Sequence, residues 1–218
     1  MRATFKPYEI DHQTLKFIVG VIALSLGNLT EFLANDPLES ISAAYHDTGP
    51  WARDFLVGFL FAICAFLLAY NGQSTLEAVL SKIAAVAAIG VALFPCGCKN
   101  YDQVIPHVHY ISAAIMFLVL ACFCGIFYKR ARKKGRREAL WRSYVYAVCG
   151  IAMLVAIGLL VVDFAMAGAI SASVPRLVFY CERAGLVAFG VSWLVASKVL
   201  PIISAPDERT SIVPLAKS

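Results

Sequence analysis

The sequence predicts an all-α fold, a polytopic transmembrane bundle of six helices. Two observations carry this. Of the 218 residues, 60% are hydrophobic and only 15% charged, against roughly 45–50% and 25% in soluble domains. The apolar residues also fall into six runs near the roughly 20 residues a bilayer requires: Leu15–Ala34, Arg53–Tyr70, Thr75–Pro95, His107–Tyr128, Ala139–Ile170 and Arg176–Ile202. The chain therefore divides into a tail at 1–14, a transmembrane domain at 15–202 and a second tail at 203–218. These spans and their short loops leave no room for a separate soluble catalytic domain.

The first run follows "MRATFKPYEIDHQ", whose charges are mixed. No small-residue cleavage site comes after it, so it is expected to stay as a helix rather than be removed. The second and third runs meet at the tight connection "YNGQST", and Lys82 in the third is placed to snorkel to the nearer surface. "AAVAAIG" in the third run and "GLVAFG" in the sixth suit close helix contact. Between the fourth and fifth runs lies "YKRARKKGRREALWR", which holds most of the net charge of +5. Basic loops stay in the cytoplasm. An even number of spans puts both termini on that same side, where Arg2, Lys6, Lys16, Lys198 and Arg209 agree with the loop. This distribution speaks for topology and anionic lipid and against nucleic acid. The expected location is a bacterial inner (plasma) membrane, and the expected partners are membrane lipids, with other membrane-protein subunits as a further class.

With this orientation the intramembrane ionisable residues gather at the outer third. Asn28 and Glu31 end the first span, Arg53 and Asp54 open the second, and His107 and His109 open the fourth. Asp163 is late in the fifth span, and Glu182 and Arg183 lie about two turns into the sixth. Charge at bilayer depth normally faces a partner or a wet cavity. Two readings stand. In one, Arg53 or Asp54 pairs with Glu182 or Arg183 in a network that ties the helices together. In the other, Ser42, His46, Arg53, Asp54, His109, Glu182 and Arg183 line an outward polar pocket that holds a lipid headgroup, a partner protein, a metal or a catalytic water. His107 and His109 diverge by about 200° on a helix, so one of them points inward, and His109 is the deeper.

A zinc site drawing on His46, His109, Asp54 and Glu182 is the alternative to a binding site. It would make the protein a metal-dependent lipid hydrolase, with Asp54, His109 and Glu182 as catalytic residues. The loop "CGCKNYDQVIPHVH" has no standard zinc spacing, and Cys96 and Cys98 are open to a disulfide in an oxidising compartment. No nucleotide, nucleophile-elbow or zinc-protease motif is present, so no cofactor besides zinc is implied. Nor is there a repeated pair of broken helices of the kind transporters use.

The order of "SISAAYHDTGPWARDFLVGFLFAICAFLLAYNG", "AIGVALFP", "HVHYISAAIMF", "YAVCGIAML" and "FYCERAGLVAFGVSWLVASK" resembles a group of six-span bacterial membrane proteins. More distantly it is similar to the Frag/DRAM/Sfk superfamily, the damage-regulated autophagy modulators and the FGF receptor activating protein. That resemblance covers nearly the whole chain and points to Ser42, Arg53, His109 and Glu182. It implies lipid handling: GPI-anchor lipid remodelling, phosphoinositide-kinase recruitment or lipid asymmetry. A weaker similarity is to alkaline-ceramidase-like hydrolases, which use Ser, Asp and His at zinc. This chain departs from them in having six spans and no HxxxH in the last.

Overall fold

The computed structural model describes residues 11–98, 101 and 105–209. The ends of both predicted tails, with Arg2 and Lys6, lie outside the described residues. The described residues are all-helical, and six helices are long and apolar enough to cross a membrane. These are α1 (His12–Leu33), α2 (Pro50–Ala69), α3 (Thr75–Leu93), α4 (Val108–Lys133), α5 (Arg137–Ala165) and, after the short α6 (Ala169–Ser173), α7 (Leu177–Ala196). Short 3-10 turns occupy Ile41–His46 and Pro201–Ile203.

The helix ends follow local chemistry. Asp11 caps α1 by accepting from the Gln13 amide at 3.0 Å, and Pro50 opens α2 where its missing N–H costs nothing. "STLE" is a capping box at the head of α3: the Glu77 amide donates to Ser74 Oγ at 3.3 Å, and Ser74 Oγ donates back to Glu77 Oε1 at 3.2 Å. The fifth run ends earlier than its apolar length suggests. Gly168, at φ 82°, turns the chain, and Asp163 Oδ1 accepts from the amides of Ile170 and Ser171 at 3.0 and 2.9 Å. Asp163 thus serves the N-terminus of α6.

The spanning helices form a ring in chain order, each packed on the next, and α7 closes it against α1 and α5. Closure needs glycine. A Cβ on Gly20 would stand 2.9 Å from the Leu194 backbone nitrogen, and one on Gly190 would stand 2.9 Å from the Gly20 carbonyl. Trp193 fills the centre, in ring contact with Tyr70, Phe123, Phe127 and Phe189. The outward face of α5 is apolar, with Ile151, Leu154, Val155 and Phe164 exposed, as a lipid-facing helix requires.

Candidate functional site

At the end of the bundle where α1 stops and α2 begins, the segment between them folds inward instead of over the top. Leu38, Ile41, Ala43 and Ala44 are buried. This apolar anchoring carries Ser42 between α4 and α7. Glu182 on α7 accepts from the Ile41 amide through Oε2 and lies 3.1 Å from Ser42 Oγ through Oε1. His109 on α4 brings Nε2 to 3.0 Å from the same Oγ. Its Nδ1 is 2.7 Å from the Phe94 carbonyl. A carbonyl only accepts, so Nδ1 carries a hydrogen and Nε2 is left facing Ser42.

The hydrogen count of this cluster is informative. With Glu182 ionised, Ser42 donates to it, and Nε2 must then donate to Ser42, so His109 is an imidazolium. With Glu182 protonated, it donates to Ser42, which donates to a neutral imidazole. Both arrangements satisfy every group and hold one shared proton, and they interconvert without moving a heavy atom. Remove that proton and Ser42 has one hydrogen for two acceptors, which leaves an acceptor unsatisfied next to a histidine only 2% exposed. The cluster can therefore store a proton, pass it between two helices, and grip a hydroxyl from both sides.

The remaining candidates do not join it. Arg53 and Asp54 form an exposed ion pair with each other at 3.2 Å, their side chains 52% and 58% exposed. The expected pairing with Glu182 or Arg183 is not formed. The reason is helical phase: Ala52, Leu56, Leu60, Ile63 and Leu67 turn the buried face of α2 inward and leave 53 and 54 outside. Arg183 is exposed as well, its guanidinium 6.0 Å from the Phe179 ring. His46 Nε2–H donates to the Cys96 carbonyl at 2.8 Å, and its ring stacks on Tyr101 at 4.0 Å. It brackets the neighbouring loop. Cys96 and Cys98 are disulfide-bonded. His107 is an exposed left-handed cap at φ 66°, two residues before the buried His109. Among the described residues no three His, Cys, Asp or Glu side chains come together to hold a metal.

Sequence reasoning missed the ion pair that does bind this end. Arg176, left-handed at φ 63°, pairs with Glu31 and donates from Nε to the Leu38 carbonyl at 2.8 Å. Glu31 also accepts from the Leu38 amide at 3.3 Å. The signal available was that Glu31 and Arg176 end and begin spans at the same depth. Tyr45 secures the segment further by donating to the Val91 carbonyl at 2.9 Å, and burial pushes its phenol up to about 12.

The opposite end holds charge from the third run, the basic connection and the C-terminal tail. Glu77, wholly buried, accepts from Tyr70 at 3.0 Å and pairs with Arg130. Arg142, 2% exposed, donates to the Ile203 carbonyl at 2.8 Å and to Glu208 at 2.7 Å, and Lys134 also pairs with Glu208. Burial alone would raise the Glu208 carboxyl, but hydrogen bonds from Lys134 and Arg142 outweigh it and hold it at about 2. Lys82 donates to the Tyr70 carbonyl and to Asn71 Oδ1, both at 3.1 Å, capping the end of α2.

Residues 18–192 match the family described as "Protein of unknown function (DUF998)", and the chain belongs to that family. No curated protein and no solved structure matches it.

Proposed function

We propose that this integral membrane protein handles lipid, or docks a partner subunit, through the Glu182–Ser42–His109 cluster. The observation that carries the reading is that a carboxylate and an imidazole from two different helices hold one hydroxyl oxygen at 3.1 and 3.0 Å. In the closed arrangement that hydroxyl belongs to Ser42. When the 35–49 segment lifts, the same pair can take a hydroxyl of a lipid headgroup, a glycerol or sugar group, or a side-chain hydroxyl of a partner. The motif likeness to the Frag/DRAM/Sfk superfamily, a lipid-handling group, supports the same reading.

The cluster is placed on the outer side of a bacterial inner membrane, with both termini cytoplasmic. Two features support this orientation. The basic α4–α5 connection lies at the other end, and the Cys96–Cys98 disulfide lies at this end, as an oxidising compartment allows. Labelling of single introduced cysteines from outside should reach the 35–49 segment and miss 133–137. The reverse pattern overturns the orientation.

The functional test is Glu182→Gln, which keeps the shape and removes the charge, with co-purifying lipids measured by native mass spectrometry. Retention of phosphatidylglycerol, whose headgroup carries hydroxyls, should fall relative to phosphatidylethanolamine. An unchanged lipid profile in a normally folded variant would mean that the cluster only braces the helices. Should Glu182→Gln fail to fold, Ser42→Gly serves instead: vacating the hydroxyl position should increase phosphatidylglycerol retention, and no increase counts against the reading.

A further inference from the structure

The end of the bundle opposite the cluster contains a cavity of about 180 Å³ that no part of the proposed function uses. It is lined by cations from four separate stretches of the chain: Lys16 from α1, Arg130 and Lys134 from the end of α4, Arg142 from α5 and Lys198 just after α7. Gln73 and Lys134 are exposed at its rim. At roughly 30 Å³ of liquid per water, the space takes a tetrahedral oxyanion with some of its hydration.

The charge there is not balanced. Among the described residues two carboxylates serve the five cations: Glu77 pairs with Arg130, and Glu208 pairs with Lys134 and Arg142. Lys16 and Lys198 have no carboxylate within ion-pairing distance among the described residues. Lys16 is the more telling of the two. It is 3% exposed, one turn into a spanning helix, and its ammonium lies over the faces of Tyr70 and Phe127, at 5.6 and 5.3 Å from the ring centres. Glu77 and Asp11 act on it only from beyond pairing distance, and an ammonium sealed off without a direct ion pair is expensive; ring faces recover only part of that cost. Its remaining surface is turned to the cavity. Lys198 is brought there by a left-handed backbone, φ 58°, at the helix exit, where glycine or asparagine is the ordinary choice.

We propose that this cavity is a phosphate site, taking a phosphomonoester dianion with Lys16 at its floor and Lys198, Arg130 and Arg142 around it. A dianion supplies the direct ion pair that Lys16 and Lys198 lack among the described residues, and guanidinium groups give it directional hydrogen bonds. The cavity sits where spanning helices begin and end, the depth of lipid phosphates. The dianion comes either from the headgroup of an anionic lipid or from free phosphate.

The test uses the full chain purified in detergent. Melting temperature is followed against inorganic phosphate and, separately, against phosphatidic acid in mixed micelles, with chloride at matched ionic strength and phosphatidylcholine as the two controls. Lys16→Gln and Lys198→Asn are measured in parallel. Asparagine tolerates the left-handed backbone, so Lys198→Asn removes charge without straining the turn. The wild-type protein should be stabilised by at least one of the two phosphates well beyond its control, and each folded variant should bind at least tenfold more weakly. Stabilisation by phosphatidic acid alone identifies a lipid headgroup, and by inorganic phosphate alone a soluble ligand. No preference over the controls in the wild-type protein overturns the proposal, as does wild-type affinity in both variants. The Glu182 test reads a different end of the molecule and a different lipid chemistry, so either can fail without the other.

Discussion

The two ends of the bundle handle buried charge in opposite ways. At the Ser42 end the ionisable groups turned into the bundle are held by neighbours: Glu182 and His109 share a hydroxyl, Arg176 holds Glu31, and His46 and Tyr45 hold main-chain carbonyls. At the Lys16 end cations outnumber carboxylates around an open space. A satisfied network specifies one arrangement of the chain. An unsatisfied one is where a ligand adds stability, because it supplies the missing charge. On the two proposals above, one end has to open before it can bind and the other is open already.

The largest test of that contrast is Glu77→Gln. Glu77 is the carboxylate that neutralises the cavity wall, and breaking a buried pair from one side costs about 3–5 kcal/mol. Because Arg130 is partly exposed, the lower end of that range is expected, read as a fall in melting temperature. Phosphate should recover part of the loss by replacing the carboxylate. A melting temperature within a degree of wild type would show that the cavity charges are already solvated and the contrast false.

Ser42→Ala comes next. It leaves the Glu182 carboxyl and His109 Nε2 without their common partner, and an unsatisfied buried group costs about 1–3 kcal/mol. The variant should melt lower with an unchanged helix content. No change would mean that water replaces the hydroxyl freely and the end is not closed.

The pH dependence should separate the ends as well. Glu208 titrates at about 2 in the folded protein, below its ordinary value of 4.5. Its contribution is therefore complete above pH 4.5 and is lost as the pH falls from there through about 2. Over that window the 203–209 segment should leave Arg142 and Lys134, seen as faster proteolysis at the C-terminal end. Glu208→Gln should remove this dependence, and a dependence that survives the substitution belongs to another group.

The smallest effect is expected from Arg53→Ala or Asp54→Asn. An exposed pair contributes about 0–1 kcal/mol, so stability and lipid retention should both stay near wild type. A marked loss of lipid with either change would return Asp54 to the site and redraw the comparison.

Much of this molecule is written in its composition and spacing. Runs of twenty apolar residues have one stable arrangement in a bilayer, because only a helix satisfies its own backbone there, so the six spans were legible without coordinates. So was the position of Glu182 and His109 toward one end of the bundle, since helical rise converts sequence distance to distance along a helix. Direction around a helix was partly legible: two-residue spacing let only one of His107 and His109 turn inward, but Arg53 and Asp54 were expected inside, and the buried face from Ala52 to Leu67 leaves them outside. Which residues meet was not legible. The contact of Ser42 with both Glu182 and His109 depends on an intervening segment folding inward and on α7 closing against α1 through Gly20 and Gly190. Lys16 likewise reads as one more cation before a span, and only the ring of helices gathers it with Arg142 and Lys198. Partition into the membrane is a property of each run by itself, summed over local residues. Pairing of charges depends on distances between residues far apart in the chain, and those are set by how the helices close.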